Sequence, residues 1–388
     1  MRFSEFIEEW EVKELREVCE INPKNSTLPN SFIYIDLESV INGVLMKENQ
    51  LFSVNAPSRA QRILKKNDIL FQMVRPYQKN NFFFHLDGNY VASTGYAQIR
   101  TQQDSQYIFQ YLHNQKFVDK VIDRCTGTSY PAINSTDLSK IPIFITSIQE
   151  QQKISSFLKL TDCRIATQKK IISHLETLMK NSQENIFNQK LKLKKENGNN
   201  FPEWKIIKLG DLLIESKEKS KEKNQYRIIS STAKGLFYQD DYFTRDIASQ
   251  DNTGYKILKK NQLVFSPQNL WLGNINVNSD FEVGLVSPSY KIFNFDEILT
   301  SAYFCKYYLK TSAMLFEFGQ SSIQGASVVR RNLDLNIFFN IQIQIPSIDE
   351  QTKIANFLSA IAEKIEIEKK ILAQYETQKK YLLANLFI

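Results

Sequence analysis

The sequence has few cysteines and histidines and no long apolar run. Its four cysteines lie far apart, without the spacing of a disulfide framework or a metal site: Cys19, Cys125, Cys163 and Cys305. No apolar stretch approaches the roughly 20 residues that a membrane-spanning helix needs, and the first residues carry acid where a secretory signal would carry base. These absences predict a protein of the reducing cytoplasm, without a metal site or a membrane span.

The motifs that hold cofactors are also missing. There is no phosphate-binding Gly-x-x-x-x-Gly-Lys-Ser/Thr, no Asn/Asp-Pro-Pro-Tyr/Phe run of amino-methyltransferases and no glycine-rich cofactor loop. Two tripeptides, 11–13 and 215–217, match a nuclease-like Glu-x-Lys, but neither has a convincing partner aspartate. We interpret both as surface charge, and we predict neither a catalytic residue nor a cofactor on this chain.

With 388 residues, the chain is long enough for two or more globular domains. Its net charge of +7 is unevenly distributed. Lys+Arg and Asp+Glu number 16 and 16 over residues 1–147, and 17 and 15 over 201–347, whereas 148–200 holds 10 basic and 5 acidic residues. Any contact with nucleic acid must therefore come from local patches.

The sequence contains an internal repeat. Residues 148–187 align without a gap onto 348–387, with 16 identities in 40 positions. Upstream, Trp10 recurs as Trp204, Leu15 as Leu209, and Lys-Lys-Asn at 65–67 returns at 259–261, all at an offset of 194. This pattern indicates a duplicated chain in which the two segments stayed alike while the preceding parts diverged.

Both repeated segments are predicted to be long helices. Apolar residues recur at alternating spacings of four and three, from Ile154 to Ile186 and from Ile354 to Leu386, which is typical of a coiled coil. Ser147…Glu150 and Ser347…Glu350 are candidate capping boxes. Because only the short linker 188–200 follows the first helix, we expect the helices to pair antiparallel. The alternative is two separate surface helices.

The remaining sequence forms two heads, which we name head 1 (1–147) and head 2 (201–347). Short β-rich runs precede a helical stretch in each head, at Gln106–Asp123 and near Leu299–Phe318, and a polar glycine-containing loop follows each helix. The predicted fold class is α+β, with two globular domains separated by long helices at 148–187 and 348–388 that form an antiparallel coiled coil with an approximate two-fold repeat.

This order of motifs resembles the specificity (S) subunits of type I restriction–modification systems along essentially the whole chain. Three motifs occur twice and in order: Ile-x-Glu-Gln-x-Lys-Ile-x-x-Phe-Leu at 148 and 348, Trp-x-x-x-x-Leu at 10 and 204, and Lys-Lys-Asn-x-(Ile/Leu)-(Leu/Val)-Phe at 65 and 259. The second loop departs from the pattern, since it leads into Val-Val-Arg-Arg-Asn at 328–332 where the first has Tyr-Pro-Ala-Ile-Asn at 130–134.

The resemblance implies that each head is a target-recognition domain for one half of a bipartite site in double-stranded DNA. It implies that the helices space the heads and dock two methyltransferase (M) subunits, with restriction (R) subunits joining the complex. The chain itself would be non-catalytic. S-adenosylmethionine, ATP and Mg are then expected on the partner subunits.

Base readout needs side chains with hydrogen-bonding groups on loops that reach a groove of the duplex. The candidate DNA-binding residues of head 1 are Arg59, Arg75, Gln78, Lys79, Thr126, Thr128 and Tyr130. Those of head 2 are Gln268, Asn269, Gln320, Ser322, Arg330 and Arg331. Taken singly, each residue could equally be a solvated loop side chain.

Two other classes of function stay open at this point. One is a coiled-coil scaffold that carries two protein-binding heads and does not bind nucleic acid. The other is an enzyme with an unrecognised site in one head.

Overall fold

The computed structural model describes residues 1–25, 27–243, 251–324 and 331–387. Within it the chain forms two compact units. Unit 1 comprises Met1–Lys170 and Lys369–Ile388, and unit 2 comprises Ile171–Glu368. Each unit therefore contains one head, the first part of the helix that follows that head and the last part of the other long helix. The predicted boundaries between heads and helices stay a prediction, because these units divide both helices.

The helices are short within the heads and long between them. In chain order they are α1 (Leu15–Val18), α2 (Ser105–Tyr111), α3 (Gln115–Ile122), α4 (Ser135–Ser139), α5 (Ile148–Phe187), α6 (Gln239–Tyr242), α7 (Ala302–Tyr308), α8 (Ser312–Gln320), α9 (Leu335–Asn340) and α10 (Ile348–Leu386).

The strands of unit 1 are short. They are β1 (Glu11–Glu14), β2 (Cys19–Ile21), β3 (Ser31–Ile35), β4 (Val40–Ile41), β5 (Val44–Leu45), β6 (Asn49–Phe52), β7 (Ala60–Ile63), β8 (Ile69–Gln72), β9 (Phe82–Phe83), β10 (Tyr90–Ser93), β11 (Tyr96–Thr101) and β12 (Pro142–Ile145).

The strands of unit 2 are equally short. They are β13 (Lys205–Lys208), β14 (Leu213–Glu215), β15 (Ile229–Thr232), β16 (Gly235–Tyr238), β17 (Lys256–Lys259), β18 (Leu263–Phe265), β19 (Ile275–Val277), β20 (Val283–Val286), β21 (Lys291–Phe295), β22 (Ser322–Gln324), β23 (Arg331–Leu333) and β24 (Gln342–Ile345).

The two units share one plan of strand pairing. In unit 1 a four-stranded sheet has the order β2-β11-β8-β9, and in unit 2 the order β14-β21-β18-β19 repeats it. The first strand of each head pairs antiparallel with the strand just before the long helix, as β1 with β12 and as β13 with β24. This pairing closes each head and fixes the point from which the long helix leaves.

The outer sheets of the two units also share one strand order. In unit 1 the order β6-β3-β10-β7 gives a second four-stranded sheet, in which β3 and β10 are parallel. In unit 2 the pairs β15-β16 and β17-β20 are joined by one parallel bridge, between Ile228 and Leu285, which gives the corresponding order β16-β15-β20-β17. The heads therefore share both sheets, and fewer paired residues join the two halves of the outer sheet in unit 2.

The long helices follow the predicted seam. The seam residues of α5 from Ile154 to Ile186 are buried or half-buried, and so are those of α10 from Ile354 to Leu386. The polar seam residues Gln168 and Glu368 are also buried, at 6% and 7% exposure. In each unit the helices run antiparallel, since Ile154 and Leu158 share one core with Leu382 and Leu386. The predicted antiparallel coiled coil is confirmed.

Each long helix ends in a phenylalanine that packs against two aromatic rings. In unit 1, Phe387 lies 5.3 Å from the ring of Tyr107 and 5.0 Å from that of Tyr111. In unit 2, Phe187 lies 5.6 Å from Phe304 and 5.1 Å from Tyr308. These repeated rings join the C-terminal end of one long helix to α2 in unit 1 and to α7 in unit 2.

Each long helix also begins with a buried glutamine that binds the head. The Gln151 side chain donates to the Thr146 carbonyl at 2.7 Å and accepts from the backbone N–H of Asp104, the N-cap of α2, at 3.1 Å. The Gln351 side chain donates to the Pro346 carbonyl at 3.0 Å and accepts from the backbone N–H of Ser301, the N-cap of α7, at 2.8 Å. Both glutamines are fully buried.

Three sequence-based expectations need correction. The predicted helix 106–123 is two helices, because Asn114 accepts from the backbone N–H of Lys116 and starts α3 anew. The helix predicted near Leu299–Phe318 is likewise two helices, because Thr311 caps the start of α8. In the first capping box, the backbone N–H of Glu150 donates weakly to Ser147 Oγ at 3.5 Å, but the Glu150 carboxylate pairs with Arg2 instead of returning to the cap.

Candidate nucleic-acid interface

Two loops of unit 1 meet at an arginine that lies on an aromatic ring. Arg75 is in the loop after β8, and its guanidinium lies 4.2 Å from the ring centroid of Tyr130, in the loop after α3. The Arg75 backbone N–H donates to the Pro131 carbonyl at 2.8 Å. Tyr130 is 65% exposed. The ring thus holds a cation at the surface, by an attraction of about 0.5–1 kcal/mol at an exposed site.

The backbone of this junction is unusual. Arg75 and Lys79 have φ angles of 54° and 52°, in the left-handed region that non-glycine residues seldom adopt. They bracket a tight 3₁₀ turn at Pro76–Gln78. Ile133 donates its backbone N–H to the Met73 carbonyl at 3.0 Å, which ties the second loop to the first. The turn and this tie fix the direction in which Arg75 leaves the backbone.

Unit 2 has the same contact with the two partners exchanged between the loops. Arg331, after α8, lies 4.1 Å from the ring centroid of Trp271, which follows β18. The Arg331 backbone N–H donates to the Gln268 carbonyl at 3.2 Å. The aromatic residue is therefore on the strand loop in unit 2 and on the post-helix loop in unit 1. Sequence reasoning missed Trp271, although its offset of 194 from Tyr77 was a signal that could have found it.

Three other predicted residues of unit 1 surround the Arg75–Tyr130 contact. Thr126 and Thr128 are exposed in the post-helix loop, and Gln78 is exposed in the strand loop. Gln78 Oε1 accepts from Gln72 Nε2 at 3.1 Å. The structure thus brings Arg75, Tyr130 and these residues onto two joined loops.

Lys79 and Arg59 are placed differently. Lys79 Nζ donates to the His113 carbonyl at 3.1 Å and to Gln115 Oε1 at 2.8 Å, beside the junction of α2 and α3. Arg59 is exposed just before β7 in the outer sheet, where its carbonyl accepts from Thr94. Arg59 is thus on a different sheet from the two joined loops.

In unit 2, Gln268 and Asn269 belong to the strand loop, and Gln320 is exposed at the end of α8. Ser322 is buried, and its hydroxyl donates to the Phe318 carbonyl at 2.7 Å. Because this hydroxyl is used inside the unit, Ser322 is left out of the interface proposed below. Arg330 lies outside the described residues. DNA contact by any of the candidate residues stays a prediction.

The structure gives the register of the two post-helix loops, which their sequences leave open. The N-cap residues Asn134 and Asp334 each accept backbone N–H groups at the start of the next helix, α4 and α9. Asn134 therefore corresponds to Asp334. Helix capping, which depends on geometry, gives a register that the divergent loop sequences hide.

A polar pair between β11 and the turn before β8 is an ion pair in unit 1 and a neutral pair at the corresponding place in unit 2. In unit 1, Arg100 makes two hydrogen bonds to Asp68, Nε at 2.8 Å and Nη2 at 2.7 Å. At the corresponding positions of unit 2, Gln262 Nε2 donates to Asn294 Oδ1 at 2.9 Å. Asp68 Oδ2 and Gln262 Oε1 each accept a backbone N–H, from Lys65 and Lys259. The ion pair and the neutral pair thus hold the same turn.

The buried glutamates at the helix starts differ in their partners. Burial by itself raises the pKa of Glu150, but hydrogen bonds from Arg2 and Thr146 outweigh it and hold that pKa below its ordinary value. At Glu350, burial raises the pKa, and a hydrogen bond from Trp204 offsets this only in part. Position 346 is a proline where unit 1 has Thr146, so this hydroxyl donor is missing.

In the parts of the chain that the structure describes, no group of three or more histidine, cysteine, aspartate or glutamate side chains is placed to hold a metal ion. Within the same residues, no helix is both long enough and apolar enough to cross a membrane. The arrangement that recurs in both heads is a contact between an arginine and an aromatic ring where two loops meet. This defines a two-headed protein with matching loop sites.

The family profile of the type I restriction modification DNA specificity domain matches the chain twice, over residues 7–177 and 202–377. The chain therefore belongs to this family of specificity subunits, whose role is DNA specificity and not catalysis. A protein of Methanocaldococcus jannaschii assigned as the type I restriction enzyme MjaX specificity subunit is 22% identical over 299 residues. That match covers 73% of this chain and 66% of the relative, somewhat less than two thirds of the relative's own length.

Solved structures share the fold. The S subunit of the type I restriction–modification system from M. genitalium has a TM-score of 0.57 at 15% identity, over 98% of this chain and 96% of that one. A chain from a study of complex assembly and conformational transition of the type I R-M system has a TM-score of 0.58 at 18% identity, over 96% of both chains. At such low identity these likenesses support the fold alone.

Proposed function

We propose that this chain is the sequence-reading subunit of a type I restriction–modification complex, in which each head reads one half of a bipartite DNA site. The observation that carries the proposal is the repeated contact of an arginine with an aromatic ring at the junction of the same two loops. Arginine is suited to this role because its guanidinium can make two hydrogen bonds to O6 and N7 of guanine in the major groove.

Holding the arginine on a ring favours readout. A free arginine side chain loses about 1.5–2 kcal/mol of rotamer freedom when it is fixed. Arg75 and Arg331 are already restrained by Tyr130 and Trp271, so less freedom remains to be lost on binding. The neighbouring exposed residues Thr126, Thr128 and Gln78 offer further donors and acceptors for phosphates and base edges.

The long helices have a separate role in the proposal. They set the separation between the heads and dock two methyltransferase subunits, with restriction subunits joining the complex. Several large apolar side chains of α5 and α10 support a docking role because they are exposed, among them Leu160 at 65% and Tyr381 at 60%. S-adenosylmethionine, ATP and Mg are assigned to the partner subunits, and the location to the cytoplasm.

The decisive experiment maps methylated adenines genome-wide in cells with and without this gene. The expected result is one bipartite sequence that loses methylation when the gene is absent. Purified chain should show no methyl transfer and no ATP hydrolysis until partner subunits are added. An unchanged methylation map, together with no salt-dependent binding of duplex DNA by the complex, would favour the scaffold alternative.

A further inference from the structure

Unit 1 has a basic groove whose charges are mostly missing at the corresponding described positions of unit 2. The groove has a volume of about 280 Å³, and its lining includes Lys79, His113, Gln115, Lys379, Lys380 and Leu383. Lys79 comes from the strand loop that carries Arg75, whereas Lys379 and Lys380 come from the last turns of α10. The groove therefore joins the candidate interface of head 1 to a long helix.

The cations of the groove are only partly neutralised. Lys379 pairs with Asp162 at 2.5 Å, and Glu376, whose carboxylate also lines the groove, pairs with Lys169 at 3.0 Å. Lys79 donates to two neutral oxygens, those of His113 and Gln115. Lys380 is exposed and makes no hydrogen bond or ion pair with any described residue. Two ammonium groups thus face the groove without a carboxylate partner.

The other groups around Lys79 leave the groove positive. Burial lowers the pKa of Lys79, with Lys379 and Lys380 lowering it further and Asp119 opposing them. Burial also lowers the pKa of His113 to about 4, so this ring is neutral at pH 7. An anion in the groove would relieve the repulsion among the lysines.

The corresponding positions of unit 2 lack most of these charges. Lys79 corresponds to Gly273, and Lys379 corresponds to Met179. Lys310 takes the place of His113, but its ammonium is largely buried and donates to Asn276 Oδ1 at 2.7 Å. Only Lys180, the counterpart of Lys380, keeps an exposed ammonium.

We propose that the groove of Lys79, Lys379 and Lys380 holds a phosphate of the DNA backbone next to the half-site that head 1 reads. This inference rests on the proposed function, since it assigns a DNA contact to a protein that reads DNA. The occupant is argued from charge complementarity and from continuity with the loop of Arg75. A phosphate contact positions the duplex without selecting its sequence.

The test measures how DNA affinity depends on salt, using the complex of the full chain with its methyltransferase partner. Fluorescence anisotropy between 50 and 200 mM salt would be recorded on two duplexes, one with the recognised site and one with that site scrambled. Because one phosphate contact adds about 0.9 to the magnitude of the slope of log Kobs against log salt, Lys79→Ala with Lys380→Ala should lower that magnitude by about 0.9 in total. Lys380→Ala alone should lower it by at most about 0.9. Both duplexes should lose affinity alike.

The matched control is Lys180→Ala, which removes the repeat counterpart of Lys380 and should leave the slope unchanged. Lys380→Glu is a second variant, expected to lower affinity more than Lys380→Ala. Unchanged slopes for all Lys380 variants, in a complex that still binds its site, would overturn the proposed phosphate contact in the groove. They would leave the proposed function intact. A loss of methyltransferase assembly with an unchanged slope would also overturn the phosphate contact, in favour of an acidic protein partner. No binding of either duplex by the unsubstituted complex would instead defeat the proposed function.

Discussion

Arg2 and Glu150, which lie 148 positions apart, form a two-point ion pair at the start of α5. Arg2 Nε donates to Glu150 Oε1 at 2.8 Å, and Nη2 donates to Oε2 at 2.7 Å. The carboxylate is fully buried, whereas the Arg2 side chain is 27% exposed. The repeat counterpart Glu350 is 5% exposed, and its Oε2 has no hydrogen-bond partner among the described residues. Equivalent positions of the repeat therefore differ in electrostatics: the Glu150 carboxylate pairs with an arginine, and the Glu350 carboxylate does not.

We expect opposite effects from removing these two charges. Glu150→Gln should lower the free energy of unfolding at pH 7 by about 1.5–3 kcal/mol, since it removes hydrogen bonds between charged groups. Glu350→Gln should leave the stability unchanged or raise it, because it removes a buried carboxylate that lacks an arginine. Urea unfolding of both variants beside the unsubstituted chain measures this difference.

The pH dependence follows from the pKa directions. The pKa of Glu150 is lowered, so its stabilising contribution to the free energy of unfolding is present above pH 4.5, the ordinary pKa value, and is lost as the pH falls below it. The pKa of Glu350 is raised, so its contribution to the free energy of unfolding is present below pH 4.5 and is lost as the pH rises above that value. Glu350→Gln should therefore flatten the stability profile above pH 4.5, and an equal cost for both variants at pH 7 would contradict the assignment.

The terminal phenylalanines should contribute unequally. Phe387 is 1% exposed and Phe187 is half-buried. Phe387→Ala should cost about 3–5 kcal/mol, as for other fully buried aromatic side chains, and Phe187→Ala should cost less. Phe316→Ala is the control, because Phe316 is 63% exposed. Equal small losses of unfolding free energy for all three would show that the helix ends are not anchored by these rings.

The two stacked arginines should each control one half-site. Arg75→Ala should relax the bases read by head 1, at a cost of about 1–3 kcal/mol in discrimination, and Arg331→Ala should do the same for head 2. Methylation mapping of cells that carry each variant reports the relaxed position. Tyr130→Phe keeps a ring beneath Arg75 and should preserve the site read. If either arginine variant left both half-sites unchanged, that arginine would not read bases.

Exchange of a head should change one half-site only. Replacing residues 1–147 by the equivalent domain of a relative should alter the bases read by head 1 and leave those of head 2. The physical reason is that each head has a hydrophobic core within its own unit. Methylation mapping of the hybrid checks this, and simultaneous change of both halves would refute one head per half-site.

The long helices could be predicted because their signal is periodic and repeated. Every seam position from Ile154 to Ile186 is at least half-buried, as the spacing of four and three requires. Much of the heads could not be predicted in this way. Strands such as β1 and β13 have four residues each, and their pairing partners β12 and β24 lie more than 100 residues further along the chain. Such pairing depends on tertiary contacts that no local pattern contains.

The candidate site was only partly visible in the sequence. Arg75, Tyr130 and Arg331 could be proposed because hydrogen-bonding side chains on loops are available to DNA. Their contacts with the partner loops depend on a left-handed turn at Arg75 and on the bridging of Gln268 to Arg331. The burial of Ser322 against Phe318 follows from the helix end, which the loop composition does not indicate.

The glutamines at the helix starts have a consequence for how new specificities arise. Gln151 and Gln351 both bind main-chain groups of their head, an N–H at a helix N-cap and a carbonyl before the long helix. A foreign head that presents those two main-chain groups can keep these hydrogen bonds, whereas the contacts of Phe387 with Tyr107 and of Glu150 with Arg2 still depend on its side chains. Under the proposed function, a recombination event that exchanges one head would give a lineage a new half-site in a single genetic event while the long helices stay unaltered.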